Sequence, residues 1–106
     1  MLKPLSTARP QSGNKMFDLQ WEDVAQNDLV SIAVYIAADN PSAALALKKE
    51  VEMKVEKLRL QPRMCKAGRV EGTRELVVRG NYIVIYKEDD CMVTVLRVLH
   101  AARAWP

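Results

Sequence analysis

TRELVVRGNYIVIYKEDDCMVTVLRVLH, residues 73–100, decides the fold. Three runs rich in β-branched and aromatic residues, TRELVV, NYIVIYKE and MVTVLRVLH, are separated by Gly80-Asn81 and by Asp89-Asp90-Cys91. Both separators are short enough for hairpin turns, so the stretch predicts a three-stranded antiparallel meander. In the last run, strict alternation places Val93, Val95, Arg97 and Leu99 on one face and Thr94, Leu96, Val98 and His100 on the other. Both sets are mainly apolar, as a central strand requires. Arg97 and His100 are then expected to diverge, and Arg97, between Val95 and Leu99, reads as structural, paired with an internal acid.

Upstream of the meander the period changes. Ala44, Leu47, Val51, Val55 and Leu58 recur at helical spacing and predict a helix from Pro41 to about Leu60. Asn40 is its cap and Pro41 its first residue. The opposite face holds Lys48, Lys49, Glu50, Glu52, Lys54, Glu56 and Lys57, a solvated charge run with Glu50 and Lys54 in the favourable i,i+4 orientation. Before it, Ala25, Leu29, Ile32 and Ile36 mark another helix that opens at Glu22-Asp23 and is broken by Asp39-Asn40-Pro41. Phe17, Leu19 and Trp21 alternate within FDLQW and predict a half-buried strand. The fold class is therefore α+β: an N-terminal strand, a helical hairpin, then the meander, with the helices on one face of the sheet. PRMCKAGRVEGT, between the second helix and the meander, reads as a basic loop punctuated by Pro62, Gly68 and Gly72.

Residues 1–15, MLKPLSTARPQSGNK, carry no periodic apolar pattern and are expected to be a disordered leader, with Met16 as an alternative start. The remainder, 16–106, has the size of one domain. The formal charge of +3 resides entirely in the leader's Lys3, Arg9 and Lys15. Within the domain the distribution is polar. Met16 to Glu56 holds three bases against eight acids, and Lys57 to Pro106 ten bases against five acids. That basic second half favours an acidic partner. No apolar run approaches the ~18 residues of a membrane span, and no secretory leader is visible, so no membrane partner and a cytoplasmic setting are expected. Cys65 and Cys91 lack paired metal spacing and read as free thiols of a reducing compartment.

The chemistry is sparse. The chain has no phosphate-binding glycine loop, HExxH, CxxC or GxSxG, and a single histidine, which argues against metal or triad hydrolysis and implies no cofactor and no metal. Arginines on or beside the meander remain: Arg69, Arg74, Arg79, Arg97 and Arg103, planar groups suited to phosphate or carboxylate. Arg74 and Glu75 point to opposite faces of their strand and suggest an ion-pair network with Glu75 in a structural role. After His100 the chain leaves the strand, because Ala101-Ala102 lack β propensity and Pro106 cannot extend a ladder. Arg69, His100, Arg103 and Trp105 are thus the candidate target-binding residues, the tail lying over the sheet or projecting from it.

YIAADNPSAA between the helices, GRVEGTRELVV, NYIVIYK and the RVLHAARAWP ending together resemble the ParE/RelE superfamily of toxins from type II toxin-antitoxin modules, the kind that stabilise plasmids. The resemblance runs from Phe17 to Pro106 and implies a small toxin neutralised by a cognate antitoxin, whose acidic C-terminal segment is disordered alone. RelE-type members cut messenger RNA on the ribosome with lysines and an arginine on the sheet, cations replacing a metal. One such arginine follows the tyrosine that opens the strand matching NYIVIYK, and here that position is Ile83. TRELVV offers no lysine, and the tail offers Trp105 in place of a tyrosine. Only Arg74, Arg97 and His100 remain as candidates for an altered nuclease. The RVLH ending resembles the ParE branch, which implies DNA gyrase as the target and inhibition by binding, with the ribosome and its message as the alternative.

Overall fold

The computed structural model describes residues 16–103 and residue 105. The leader expected over residues 1–15 lies outside the described residues. Seven elements follow in order: β1 (Asp18–Trp21), α1 (Asp23–Ala37), α2 (Pro41–Lys57), β2 (Lys66–Ala67), β3 (Arg74–Val78), β4 (Tyr82–Glu88) and β5 (Met92–His100).

The α+β class, the helical hairpin and the β3-β4-β5 meander agree with the sequence reading, but the sheet is larger and mixed. Its order is β1-β5-β4-β3-β2. β1 runs parallel to β5, with Asp18 opposite Met92 and Trp21 opposite Val95, while every other neighbour pair is antiparallel. A parallel pair needs a crossover, and the α1-α2 hairpin supplies it. The expected loop at residues 62–73 contains β2, two residues opposite Arg74 and Glu75. So short a strand has no periodicity to read.

Asn40 caps α2 by accepting the Ala43 N–H at 3.1 Å, with Pro41 at the first turn. The helix stops at Lys57, short of the expected Leu60, and residues 58–60 tighten into i→i+3 bonds. The cause is tertiary. The Phe17 N–H donates to the Arg59 carbonyl at 2.8 Å, and Arg59 Nε donates back to the Phe17 carbonyl at 2.8 Å. The chain entering β1 thus holds the backbone that α2 would otherwise wind.

The main core lies between the helices and one sheet face. It joins Ala25 and Leu29 of α1, Leu47, Val51 and Val55 of α2 and Leu58 to Leu76, Val78, Val84, Tyr86, Val93, Val95 and Val98, with Phe17, Leu19 and Trp21 packed against it. Tyr86 is fully buried, and its hydroxyl donates to the Pro62 carbonyl at 2.7 Å, pinning the segment after α2. Burial pushes the Tyr86 phenol well above the ordinary tyrosine range. A second, smaller cluster of Ile83, Ile85 and Leu99, with Leu96, Ala101 and Trp105 against it, covers part of the opposite face.

A β-bulge overturns the alternation expected in β5. Ile85 pairs with Arg97 but Tyr86 pairs with Val95, which leaves Leu96 as the extra residue. Beyond it the faces exchange: Val93, Val95 and Val98 all enter the main core, whereas Leu96 and Leu99 join the second cluster.

The loop before β3 is tightly built. Gly68 N–H donates to the Thr73 carbonyl at 2.7 Å, and the Thr73 hydroxyl donates to the Val70 carbonyl at 2.6 Å. A Cβ on Gly68 would collide with that hydroxyl oxygen. Gly68→Ala is expected to cost about 1–3 kcal/mol as an overpacking change, measured by urea unfolding. A neutral result would mean that the loop shifts freely.

Candidate functional site

The site is assembled from β5, the turn that follows it, and the open face of the sheet. β1 covers β5 only as far as Val95, where the Glu22 N–H donates to the Val95 carbonyl at 2.9 Å. From Leu96 onward no strand lies beside that edge of β5 among the described residues, and α1 lies there instead. Asp28 of α1 meets the edge. Its carboxylate accepts from Arg97 Nε at 2.7 Å, from the second guanidinium nitrogen at 3.1 Å and from the Val98 N–H at 3.0 Å. The carboxylate raises the Arg97 pKa further, and an unpaired edge amide is satisfied by the same group.

Arg74 and Glu75 lie in separate networks. Arg74 donates to the Cys65 carbonyl at 2.8 Å and the Arg63 carbonyl at 3.4 Å, and lies 3.8 Å from Glu88. Glu75, its side chain only 3% exposed, accepts the Arg69 N–H at 3.1 Å and faces Arg69 Nε at 3.4 Å and Lys66 Nζ at 3.9 Å. Arg69 is therefore tied to its own loop. The polarity between the two halves of the chain is partly internal as well: Arg79 bonds Glu50 at 2.7 Å, Arg97 bonds Asp28, and Arg59 lies 3.3 Å from Glu56. The Arg79 guanidinium holds the Glu50 carboxyl below its usual range.

His100, exposed at the end of β5, stands edge-on to Tyr82 with ring centroids 5.5 Å apart. Its Nδ1 accepts the Ala102 N–H at 3.2 Å, so the neutral ring carries its proton on Nε2. The His100 carbonyl accepts the Arg103 N–H at 2.9 Å, and the turn returns the chain over the sheet. Trp105 then packs against Ile83, Ile85 and Leu99. Its indole Nε1–H is buried without a hydrogen-bond partner among the described residues. Trp105→Phe retains the cover and removes the orphaned donor, so its melting temperature is expected to equal or exceed the parent's. A fall of several degrees would show that the N–H is satisfied in solution.

Of the residues singled out from the sequence, His100 and Arg103 share the turn after β5, whereas Trp105 packs into the second cluster on the open face of the sheet and Arg69 is held by Glu75. The structure separates Arg74, Arg97 and His100, which engage the 63–65 backbone, α1 and the C-terminal turn respectively. Sequence reading missed Asp28 and Tyr35. Asp28 sits beside Leu29 of the core stripe, an acid on the flank of the buried face, and that position was the available signal. Tyr35 is 83% exposed and follows the helical spacing of nothing buried.

The family model for the ParE toxin of type II toxin-antitoxin system, parDE, matches residues 19–105. The chain belongs to the ParE toxin family. A protein of Sinorhizobium fredii named "Putative toxin Y4kP" is 34% identical over 89 residues, 83% of this chain and 92% of that one. Among solved structures, the chromosomal ParDE system from P. aeruginosa superposes with a TM-score of 0.71 at 22% identity, over 80% of this chain and 96% of that chain, a likeness of fold. The RelBE2 toxin-antitoxin complex from Mycobacterium tuberculosis gives 0.56 at 29% identity, over 83% and 94%. The ParE-like arrangement of strand, helical hairpin and sheet is thus shared with both. This ParE family member is a toxin of a type II toxin-antitoxin system, and none of its described helices is long and apolar enough to cross a membrane.

Proposed function

We propose that this toxin stops growth by binding DNA gyrase in the cytoplasm, without chemistry of its own, and that a cognate antitoxin with an acidic, disordered C-terminal segment neutralises it. The observation that carries this reading is the state of the open sheet face at Ile83. A metal-free nuclease needs cations converging on one phosphate. Here Ile83 is 7% exposed within an apolar cluster beneath Trp105. Arg74, Arg97 and His100, the candidates for an altered nuclease, are held in three different places by their own partners. Binding requires no such convergence, and the exposed turn bearing His100 and Arg103 is available for it. Membership of the ParE toxin family supports gyrase as the target.

The experiment is expression of the chain from a tight promoter, paired with supercoiling by purified gyrase. Filamentation, a DNA damage response and dose-dependent loss of supercoiling are expected. Rapid arrest of translation with cleaved messages would assign the ribosome instead. Coexpression with the protein encoded beside it is expected to restore growth, through a complex that weakens as salt rises.

A further inference from the structure

The outer face of the helical hairpin, turned away from the sheet, is apolar where a solvated face is ordinarily charged. Between α1 and α2 it forms an open groove of about 330 Å³, with Ala33 and Ala44 in its floor, Val30 and Val34 on one wall and Leu45 on the other. We propose that this groove is where a second copy of the chain docks, hairpin on hairpin, about a twofold axis passing between Val34 and Leu45.

Val30, Val34 and Leu45 are each more than half exposed, and α1 carries no charged side chain from Leu29 to Ala37. Contiguous apolar surface of this kind marks an interaction site. The charges at its two ends identify the occupant. Asp39 follows the α1 end of the groove, while Lys48 and Lys49 stand at the other against one acid, Glu52, which takes Lys48 at 2.8 Å. Asp39 and Lys49 are exposed, and neither forms an ion pair among the described residues. Leu45 is four residues from Lys49 and Val34 is five from Asp39, so the axis lies about one helical turn from each end. Rotation about it lays Val34 and Leu45 of one copy on those of the other and brings each Asp39 toward Lys49 of the other copy. An unrelated partner would need an apolar surface with its charges in the reverse order, and this surface, rotated, is already that. The 17 residues of α2 span about 25 Å, and two helices side by side about 20 Å, so the paired faces cover about 500 Å² per copy, roughly 1,000 Å² together. That is the lower bound of a specific interface, and it predicts a reversible dimer rather than a permanent one. The second cluster lies on the opposite side of the sheet from the hairpin, so the open face stays uncovered on both copies.

Sedimentation velocity of the purified full chain over a concentration series is the test, with reductant present because Cys91 is exposed. A rapid monomer–dimer equilibrium with a micromolar dissociation constant is expected, and a chain that stays monomeric up to about 1 mM overturns the proposal. Leu45→Glu keeps good helix propensity and gains an i,i+4 partner in Lys49, so its melting temperature at high dilution is expected to match the parent's while its dimer weakens about tenfold or more. A dimer unaffected by Leu45→Glu uses another face, which also overturns the proposal. The twofold arrangement has its own signature. Asp39→Lys and Lys49→Glu are each expected to weaken the dimer several-fold, because each creates two like-charge contacts, whereas an equimolar mixture of the two variants restores two opposite-charge pairs and returns to the parent's affinity. A mixture as weak as its components overturns the axis between Val34 and Leu45.

Discussion

Asp28→Ala is expected to lower the free energy of unfolding by about 3 kcal/mol, more than the roughly 2 kcal/mol expected for Arg97→Ala. The difference follows from what each removal orphans. Asp28 accepts three hydrogen bonds, two from Arg97 and one from the Val98 N–H. Without it, the Val98 amide sits on a strand edge that β1 has already left, and the Arg97 guanidinium, 27% exposed, retains only partial access to water. Without Arg97, Asp28 keeps the Val98 bond, and its side chain, 14% exposed, is partly solvated. Asp28→Asn preserves an acceptor for the amide and is expected to fall between the parent and alanine. The pair is half-open, so neither loss reaches the upper end of the buried-pair range. Urea unfolding of the three variants is the check. If Asp28→Ala costs no more than Arg97→Ala, the edge amide finds water and the carboxylate matters only as a counter-ion.

That pair also shows where the sequence is legible. The helices were readable because their apolar stripes repeat many times: Ala44 to Leu58 is five matches to one period. The meander was readable because its hairpin separators are short and its strands long. Two features left no periodic trace. The parallel register of β1 on β5 depends on which edge of the meander remains open, and four residues of alternation fit any edge equally. The bulge at Leu96 is an insertion into a pattern that is apolar on both faces, so the side chains on either side of it look alike in either register. Arg97 was legible as a residue that needs an internal partner, but Asp28, 69 positions earlier, is brought to it only by the crossover. The site divides in the same way. That the chain turns after His100 is local and could be read, whereas the neighbourhood of Tyr35, Tyr82 and His100 is made by three elements and could not.

The second large effect concerns Ile83. Ile83→Arg, which restores the cation that a RelE-like nuclease carries after its tyrosine, is expected to destabilise the protein by about 2–4 kcal/mol and to yield no messenger cleavage. Ile83 is opposite Leu99 in the β4-β5 ladder and Val77 in the β3-β4 ladder. The other side chains of the second cluster, Ile85, Leu96, Leu99, Ala101 and Trp105, include none that can accept a hydrogen bond from a guanidinium. The nearest acid on that face is Glu75, two places along β3 from Val77 and already engaged by Arg69 and Lys66. An arginine at position 83 must therefore push Trp105 aside to reach water, which sacrifices the indole's cover over Ile85 and Leu99. Because this face is one side chain deep, the new group can escape to solvent, and the cost stays below that of a charge sealed in the core. Tryptophan emission in a Trp21→Phe background reports the displacement directly: a red shift is expected with Ile83→Arg and none with the volume-matched Ile83→Leu. Cleavage of messages on ribosomes by the Ile83→Arg protein would mean that one residue separates the two mechanisms. The present geometry says otherwise, since the partners that would share the phosphate with it are committed to the 63–65 backbone, to α1 and to the C-terminal turn.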